Sequence, residues 1–218
     1  MMRDFSLIWQ SADRLLDGLI NTVLLSLVGA ALALALGALL AIPLMASNPV
    51  LRLVSRGFVD LMRCVPFLML TYLVYYGLPR LGLRFDNWTA GLVAIVVYNT
   101  AYMAEIIRGI WSRLERETIE AAVAFGFHGW RLVSRIILPQ VMLAAGPMIG
   151  NQLIQIIKDT AFLTIIAVPE LTHAANSIQA QYFIPFATFI TAVLMYWALC
   201  MVVEVGVYAV ERIAERRR

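Results

Sequence analysis

The chain has 218 residues, of which 61% are hydrophobic and only 14% charged, with a formal charge of +3. Globular domains carry about 45–50% apolar and about 25% charged residues, so this composition fits a bilayer rather than water as solvent. The positive charges lie between apolar runs and not along one soluble face, which excludes a nucleic-acid partner.

A helix needs roughly 20 mostly apolar residues to cross a membrane. The first run that offers them, Gly18 to Leu51, follows Arg14 and Asp17 and is too long for a signal-peptide core, so this span is expected to stay in the mature protein. Within it, Gly29, Ala33, Gly37 and Ala41 recur at four-residue spacing. Such a ridge lets another helix approach closely, and internal packing is the expected use. The second run, Cys64 to Pro79, is short, so its helix is predicted to begin near Val54 and to carry Asp60 and Arg63 at the membrane surface. Pro43 stands near the end of the first span, while Pro66 and Pro147 fall inside spans and are predicted to bend or open them.

The third run, Asn87 to Ala104, leads into Glu105 and Arg108, whose i, i+3 spacing predicts a salt bridge at the cytoplasmic end. A loop over about 109–135 follows, with a short helix predicted over Glu115 to Ala124 and Gly126-Phe127-His128-Gly129 as its stop and turn. Read by itself, that helix is an amphipathic interfacial segment. The fourth run is Ile136 to Ile157, and the fifth is Leu171 to Val203. Between them, Ala161 to Val168 is too short to span and reads as a re-entrant or interfacial piece, tolerated only where protein or water covers its backbone. No Pro-, Gly- or Ser-rich linker divides the sequence, so the expectation is an all-α protein: one membrane domain over 1–218 with about five spans.

Loop charges orient these spans. Twelve arginines (52, 56, 63, 108, 113, 116, 131, 135, 212, 216, 217 and 218) fall on one side, and Arg3, Arg14, Arg80, Arg84 and Lys158 make five on the other. The positive-inside rule then places the N-terminus outside and the C-terminus in the cytoplasm, in keeping with an odd number of spans.

Charged side chains at membrane depth face a partner or a watery cavity. Lys158 and Asp159, at the outer end of the fourth span, offer both signs, as a zwitterion would need; the alternative is that they satisfy neighbouring helices. Asn99 and Tyr102 on the third span, with Tyr72 and Tyr76 on the second, either line a polar path or hold helices together. His173 has no ligand-spaced partner and is expected at a surface or cap. Cys64 and Cys200 lie in or beside apolar runs and indicate neither a disulfide framework nor a metal site. The chain lacks a G-x-x-x-x-G-K-[ST] phosphate loop, a G-x-S-x-G elbow and an H-E-x-x-H helix, so no catalytic residue is assigned and any ATP is hydrolysed elsewhere.

One pattern in the loop is more specific. Glu120-Ala121-Ala122 is followed after three residues by Gly126 and, after nine more, by Ile136-Ile137-Leu138-Pro139. This spacing resembles the EAA signature of ABC importer permease subunits, whose loop helix docks on a separate ATPase. Further stretches resemble the permeases of polar amino acid importers related to the histidine, glutamine and arginine systems. They are Gly18-Leu19-Ile20-Asn21-Thr22, Arg63 to Pro66, Tyr76 to Pro79, Thr100 to Ile106 with Arg108-Gly109, Leu138-Pro139-Gln140 and Lys158-Asp159-Thr160. Departures occur at Glu117-Thr118, where Gly-Gln is usual, at Val141-Met142-Leu143, and at His128, where Ser or Thr often caps the next helix.

The resemblance implies a permease subunit in the bacterial inner membrane that forms the translocation path for a polar amino acid or related small zwitterion. It implies that Glu120, Ala121, Ala122 and Gly126 couple to a cytoplasmic ABC ATPase dimer, with ATP and Mg held in that partner and no cofactor in this chain. It further implies a second permease, identical or paralogous, and an extracytoplasmic solute-binding protein. The rival reading is an ion-gradient-driven secondary transporter, which would need intramembrane acid or His relays and an internal repeat.

Overall fold

The computed structural model describes residues 2–215, with every regular element among them helical. Four stretches are long and apolar enough to cross a membrane: Ala12–Leu44, Asn87–Trp111, Gly129–Ile166 and Pro185–Ala209. A fifth crossing is available if the bent pair Pro49–Cys64 and Phe67–Leu81 counts as one span.

Helix α1 (Met2–Gln10) precedes α2 (Ala12–Leu44), the first long apolar helix, in which Pro43 sits in the last turn. The small-residue ridge is used inside the chain. Gly29 and Gly37 face α5 (Asn87–Trp111) so closely that an added Cβ would lie 2.6 Å from Ile95 Cγ2 and 2.6 Å from Met103 Cβ, respectively. Ala33 and Ala41, between and beyond them, are fully buried. Without those glycines the central helix pair could not close.

The second predicted span needs correction. A helix does begin before Val54, at Pro49, where Asn48 caps α3 (Pro49–Cys64) by accepting from the Val50 and Leu51 N–H groups at 3.0 and 3.3 Å. It does not run on into the membrane in one line. Val65, held extended (ψ 133°) ahead of Pro66, breaks it, and the segment Phe67–Leu81 departs at 105°. The missed signal was a three-sided α3: Ser55, Val59 and Met62 turn inward, Arg52, Arg56 and Arg63 form an exposed basic edge, and Val50, Leu53, Val54 and Leu61 an exposed apolar one. That is the pattern of a helix lying along an interface. Helix α4 (Phe67–Tyr72) then loosens and tightens in turn through 73–81 before Gly82, at φ 86°, reverses the chain.

Asp86 caps α5, accepting from Trp88 and Thr89 N–H groups. This helix is the most enclosed of the long ones, and Ile95, Met103 and Ile107 are fully buried on it. Short helices α6 (Arg116–Ala124) and α7 (Gly129–Leu132) lead through a widened turn at 133–137 into α8 (Leu138–Thr160).

After α8 the tight helical turn Ala161–Ile166 ends at Ala167, a left-handed residue at φ 55°. Leu163, Ile166 and Val168 are buried here, so protein covers the backbone of this re-entrant-length piece, as its location requires. The fifth span also needs correction: Leu171 to Val203 is not one helix. Helix α9 (Leu171–Tyr182) stops at Phe183, left-handed at φ 56°, and α10 (Pro185–Glu215) starts afresh. Thr172, His173, Asn176, Ser177 and Gln179 make α9 too polar to span, and Pro185 opens the next helix where its missing N–H costs nothing. Ile8, Leu15, Leu171, Ala175, Ile178, Ala187 and Ala192 form a second core that binds α1, α9 and the start of α10 to α2.

Candidate functional site

Two regions carry polar chemistry that packing alone does not use. The first is the loop containing α6. Its helix ends in two bonds of a Schellman closure, Phe127 N–H to Ala122 C=O at 3.0 Å and Gly126 N–H to Val123 C=O at 2.9 Å. Gly126 supplies the left-handed residue this closure requires, at φ 89°, and Gly129, which opens α7, is also left-handed at φ 54°. Ala122 is buried, and α6 rests on the turn at 133–137. Glu120 and Ala121 point out, joined by Phe125 at 85% exposure and Trp130 at 61%. The two alanines therefore do different work: Ala122 lets α6 seat on its own chain, while Ala121 belongs to the outward face with Glu120. Aromatic exposure at Phe125 and Trp130 was not foreseen from the sequence, where each stands in an unremarkable position beside a glycine.

Behind this loop, Glu105 accepts both Arg108 Nε–H and an Nη2–H at 2.7 Å, and Arg63 approaches the same carboxylate at 3.9 Å. The predicted pair thus exists and also ties the end of α3 to α5.

The second region is one face of α8. Met148, Asn151, Gln155 and Lys158 are exposed, and the i, i+4, i+7 spacing of Asn151, Gln155 and Lys158 places two amides and an ammonium in one stripe along a spanning helix. Amides and charges facing hydrocarbon are costly, so such a stripe needs water or protein against it. Asn151 and Gln155 were missed in the sequence. The signal is a polar repeat within an otherwise uncharged run, but an isolated amide on an apolar helix reads equally well as a helix-packing contact.

Lys158 and Asp159 do not act as a side-by-side pair. Consecutive residues on a helix lie about 100° apart, and here Lys158 is exposed while Asp159 is 4% exposed. Gln155 Nε2 donates to Asp159 Oδ1 at 2.9 Å. The other oxygen, Oδ2, is buried with no hydrogen-bond partner among the described residues. Lys158 borders a hollow of about 220 Å³ shared with Ala161, Val193 and Tyr196.

Asn99 is fully buried and belongs to the helix contact, accepting from Gln152 Nε2 at 2.7 Å and donating to Ile95 C=O at 2.9 Å. Tyr102 is half-buried and shares a 3.1 Å hydroxyl contact with Tyr98, whose ring packs on Phe67 at 5.2 Å between centroids. The structure therefore sets Asn99 and Tyr102 in the α5 packing layer, with the exposed polar stripe on α8 beside it. His173 is half-buried in the first turn of α9, where its backbone N–H, and not its ring, engages the cap at Glu170. No cluster of three or more potential metal-ligating side chains occurs among the described residues.

Comparison with known proteins gives this geometry a context. Residues 33–215 match the family model described as binding-protein-dependent transport system inner membrane component. The chain is 29% identical to the probable glutamine ABC transporter permease protein GlnM of Bacillus subtilis (strain 168), over 97% of this chain and 98% of that protein. It is 30% identical to the glutamine transport system permease protein GlnP of Escherichia coli (strain K12), over 97% and 98% respectively. In structure it resembles an amino acid ABC transporter crystallised with histidines, with a TM-score of 0.86 and 26% identity, covering 94% of this chain and 96% of that one.

Proposed function

We propose that this chain, which belongs to the family of binding-protein-dependent transport system inner membrane components, forms the membrane path for a polar amino acid or related small zwitterion. The observation that carries the reading is the exposed Asn151–Gln155–Lys158 stripe on spanning helix α8, with the half-satisfied Asp159 carboxylate beside it. A zwitterion offers its carboxylate to the exposed Lys158; its ammonium goes to Asp159 Oδ2, buried in this conformation, once movement of the spans uncovers that side of α8, and the amides replace water around its backbone atoms as it passes. Asn99 and Tyr102 hold the layer behind that face. The substrate class is supported by the names of the glutamine permeases and the amino acid transporter that the chain resembles.

Energy comes from a partner. The outward face of α6, with Glu120, Ala121 and Phe125, docks on a cytoplasmic ATPase dimer that holds the ATP and its Mg. Ala122 and Gly126 set the shape of that face from behind. ATPase closure pushes α6 and, through the turn at 133–137, the start of α8, so that rigid-body motion of the spans switches access from one side to the other. A second permease, identical or paralogous, covers the α8 stripe across the path, and an extracytoplasmic binding protein delivers the solute. The chain sits in the bacterial inner membrane with its N-terminus outside and its C-terminus in the cytoplasm, the orientation the arginine distribution favours.

The test is solvent access. With native Cys64 and Cys200 replaced by alanine, Asn151→Cys and Gln155→Cys in the assembled transporter should react with a membrane-impermeant thiol reagent, and added solute should slow the reaction. Lack of reaction at both positions under every nucleotide condition would place the stripe in a dry interface and remove it from the path.

A further inference from the structure

Glu170 is a fully buried acid that the transport path, as described above, does not use. It occupies the cap of α9, where Oε1 accepts the His173 N–H at 2.6 Å and Oε2 accepts the Thr172 N–H at 2.7 Å. Short side chains such as Asp or Ser normally do this work. The extra methylene of Glu serves a second element: Oε2 also accepts the hydroxyl of Tyr196, on α10, at 2.8 Å, and that hydroxyl lies 3.0 Å from Thr172 Oγ1.

Three helices meet at this point. The Leu171 N–H donates to Thr22 Oγ1 of α2 at 3.2 Å, and a Cβ on Gly18 would come within 3.0 Å of Leu171 Cα. Asn176 ties α9 back to the turn after α8 through Thr164 Oγ1 at 3.2 Å. Tyr196 in turn forms part of the wall of the hollow that Lys158 borders. The carboxylate thus joins the first turn of α9, a 12-residue helix too short to cross the membrane, to a side chain facing the proposed path.

We infer that Glu170 is a positioning residue for transport: by holding the Tyr196 hydroxyl it fixes the wall of the Lys158 hollow and makes that wall move with α9. This rests on the reading of the α8 face as the solute path. Burying a carboxylate is costly, and a cap alone would not require one so deep. Holding two elements in one register would.

The experiment uses the complete transporter, with its ATPase and binding protein, in proteoliposomes, and reads solute moved per ATP hydrolysed. Glu170→Asp keeps both cap bonds but is one methylene too short for Tyr196, and Tyr196→Phe removes the hydroxyl while leaving the ring. Each should lower the ratio about tenfold, the scale of one hydrogen bond to a charged group, and the double variant should fall no further than either single one. A merely structural role would instead reduce the amount of assembled complex and leave the ratio per complex intact, which overturns the inference. So would two single losses that multiply in the double variant. Should Glu170→Asp fail to assemble, Tyr196→Phe alone decides. Lys158→Gln separates this inference from its premise: a normal ratio there removes the path reading, whereas a low ratio there with normal Glu170→Asp and Tyr196→Phe removes the positioning role alone.

Discussion

Asp159→Asn should push stability and transport in opposite directions. Asp159 is 4% exposed on a spanning helix, Oδ1 is satisfied by Gln155, and Oδ2 has no partner among the described residues. Asparagine keeps Oδ1 and the side-chain shape but removes the charge. Leaving a buried polar group unpaired is costly, and more so when it is charged; the asparagine Nδ2 is as unpaired as Oδ2 was, so the variant relieves only the charge and should be more stable than the parent by on the order of 1 kcal/mol. Thermal unfolding of the purified transporter in detergent would show this as a midpoint raised by a few degrees. The same substitution removes the proposed partner of the solute ammonium. A charge-assisted hydrogen bond is worth about 1.5–3 kcal/mol, so uptake per complex should fall about tenfold to a hundredfold. Unchanged uptake would take Asp159 off the path, and a parallel loss of stability and uptake would make it an ordinary structural group.

Other substitutions separate roles that the sequence runs together. Ala121→Arg should abolish co-purification of the ATPase while leaving the permease folded, whereas Ala122→Arg, at a buried position, should first lower the thermal stability of the permease itself. Equal behaviour of the two in pull-down and unfolding assays would contradict the assigned faces of α6. Gly37→Val should prevent folding, because its Cβ would lie 2.6 Å from Met103 Cβ and 2.9 Å from the Ala104 backbone nitrogen; overpacking typically costs about 1–3 kcal/mol and more against backbone, and normal yield of monodisperse protein would count against the α2–α5 packing. Burial pushes the Glu170 carboxyl from 4.5 up to about 7, against the hydrogen bonds from Thr172, Tyr196 and His173. A raised acid favours the protonated fold, so this contribution, about 3 kcal/mol at 1.36 kcal/mol per unit, is present below pH 4.5 and is lost as pH rises through about 7. Unfolding midpoints should therefore fall over that window in the parent relative to Glu170→Gln, and parallel curves would show that the carboxyl titrates normally.

The features most legible from sequence were those with a period or a special backbone requirement. Apolar length located α2, α5 and α8, and Gly126 announced its left-handed turn because few other residues tolerate it. The small-residue ridge declared close packing, and Gly29 and Gly37 now show its partner to be α5. Breaks within apolar stretches were harder. The 105° departure at Pro66 looked like a kink within a span because hydropathy sums over the two arms, and only the three faces of α3 distinguish a helix lying flat from one inserted. The same averaging merged α9 with α10, since the polar side chains of α9 are diluted by its alanines. Side-chain direction was least accessible. Neighbours in sequence such as Ala121 and Ala122, or Lys158 and Asp159, read as pairs, although a helix turns about 100° per residue and sends each to a different environment. Glu170 was hidden for a different reason: its value lies in reaching Tyr196, 26 residues away, a contact that no local pattern predicts.

Affinity purification of the tagged chain from its native membrane, followed by mass spectrometry of what accompanies it, shows whether the outward face of α6 is a docking site for an ATPase. A P-loop ATPase should accompany the chain in stable association, with or without a second permease, and should be lost on Ala121→Arg. A stable, transport-competent preparation that contains no ATPase would contradict that docking role and would turn the reading toward transport driven by an ion gradient.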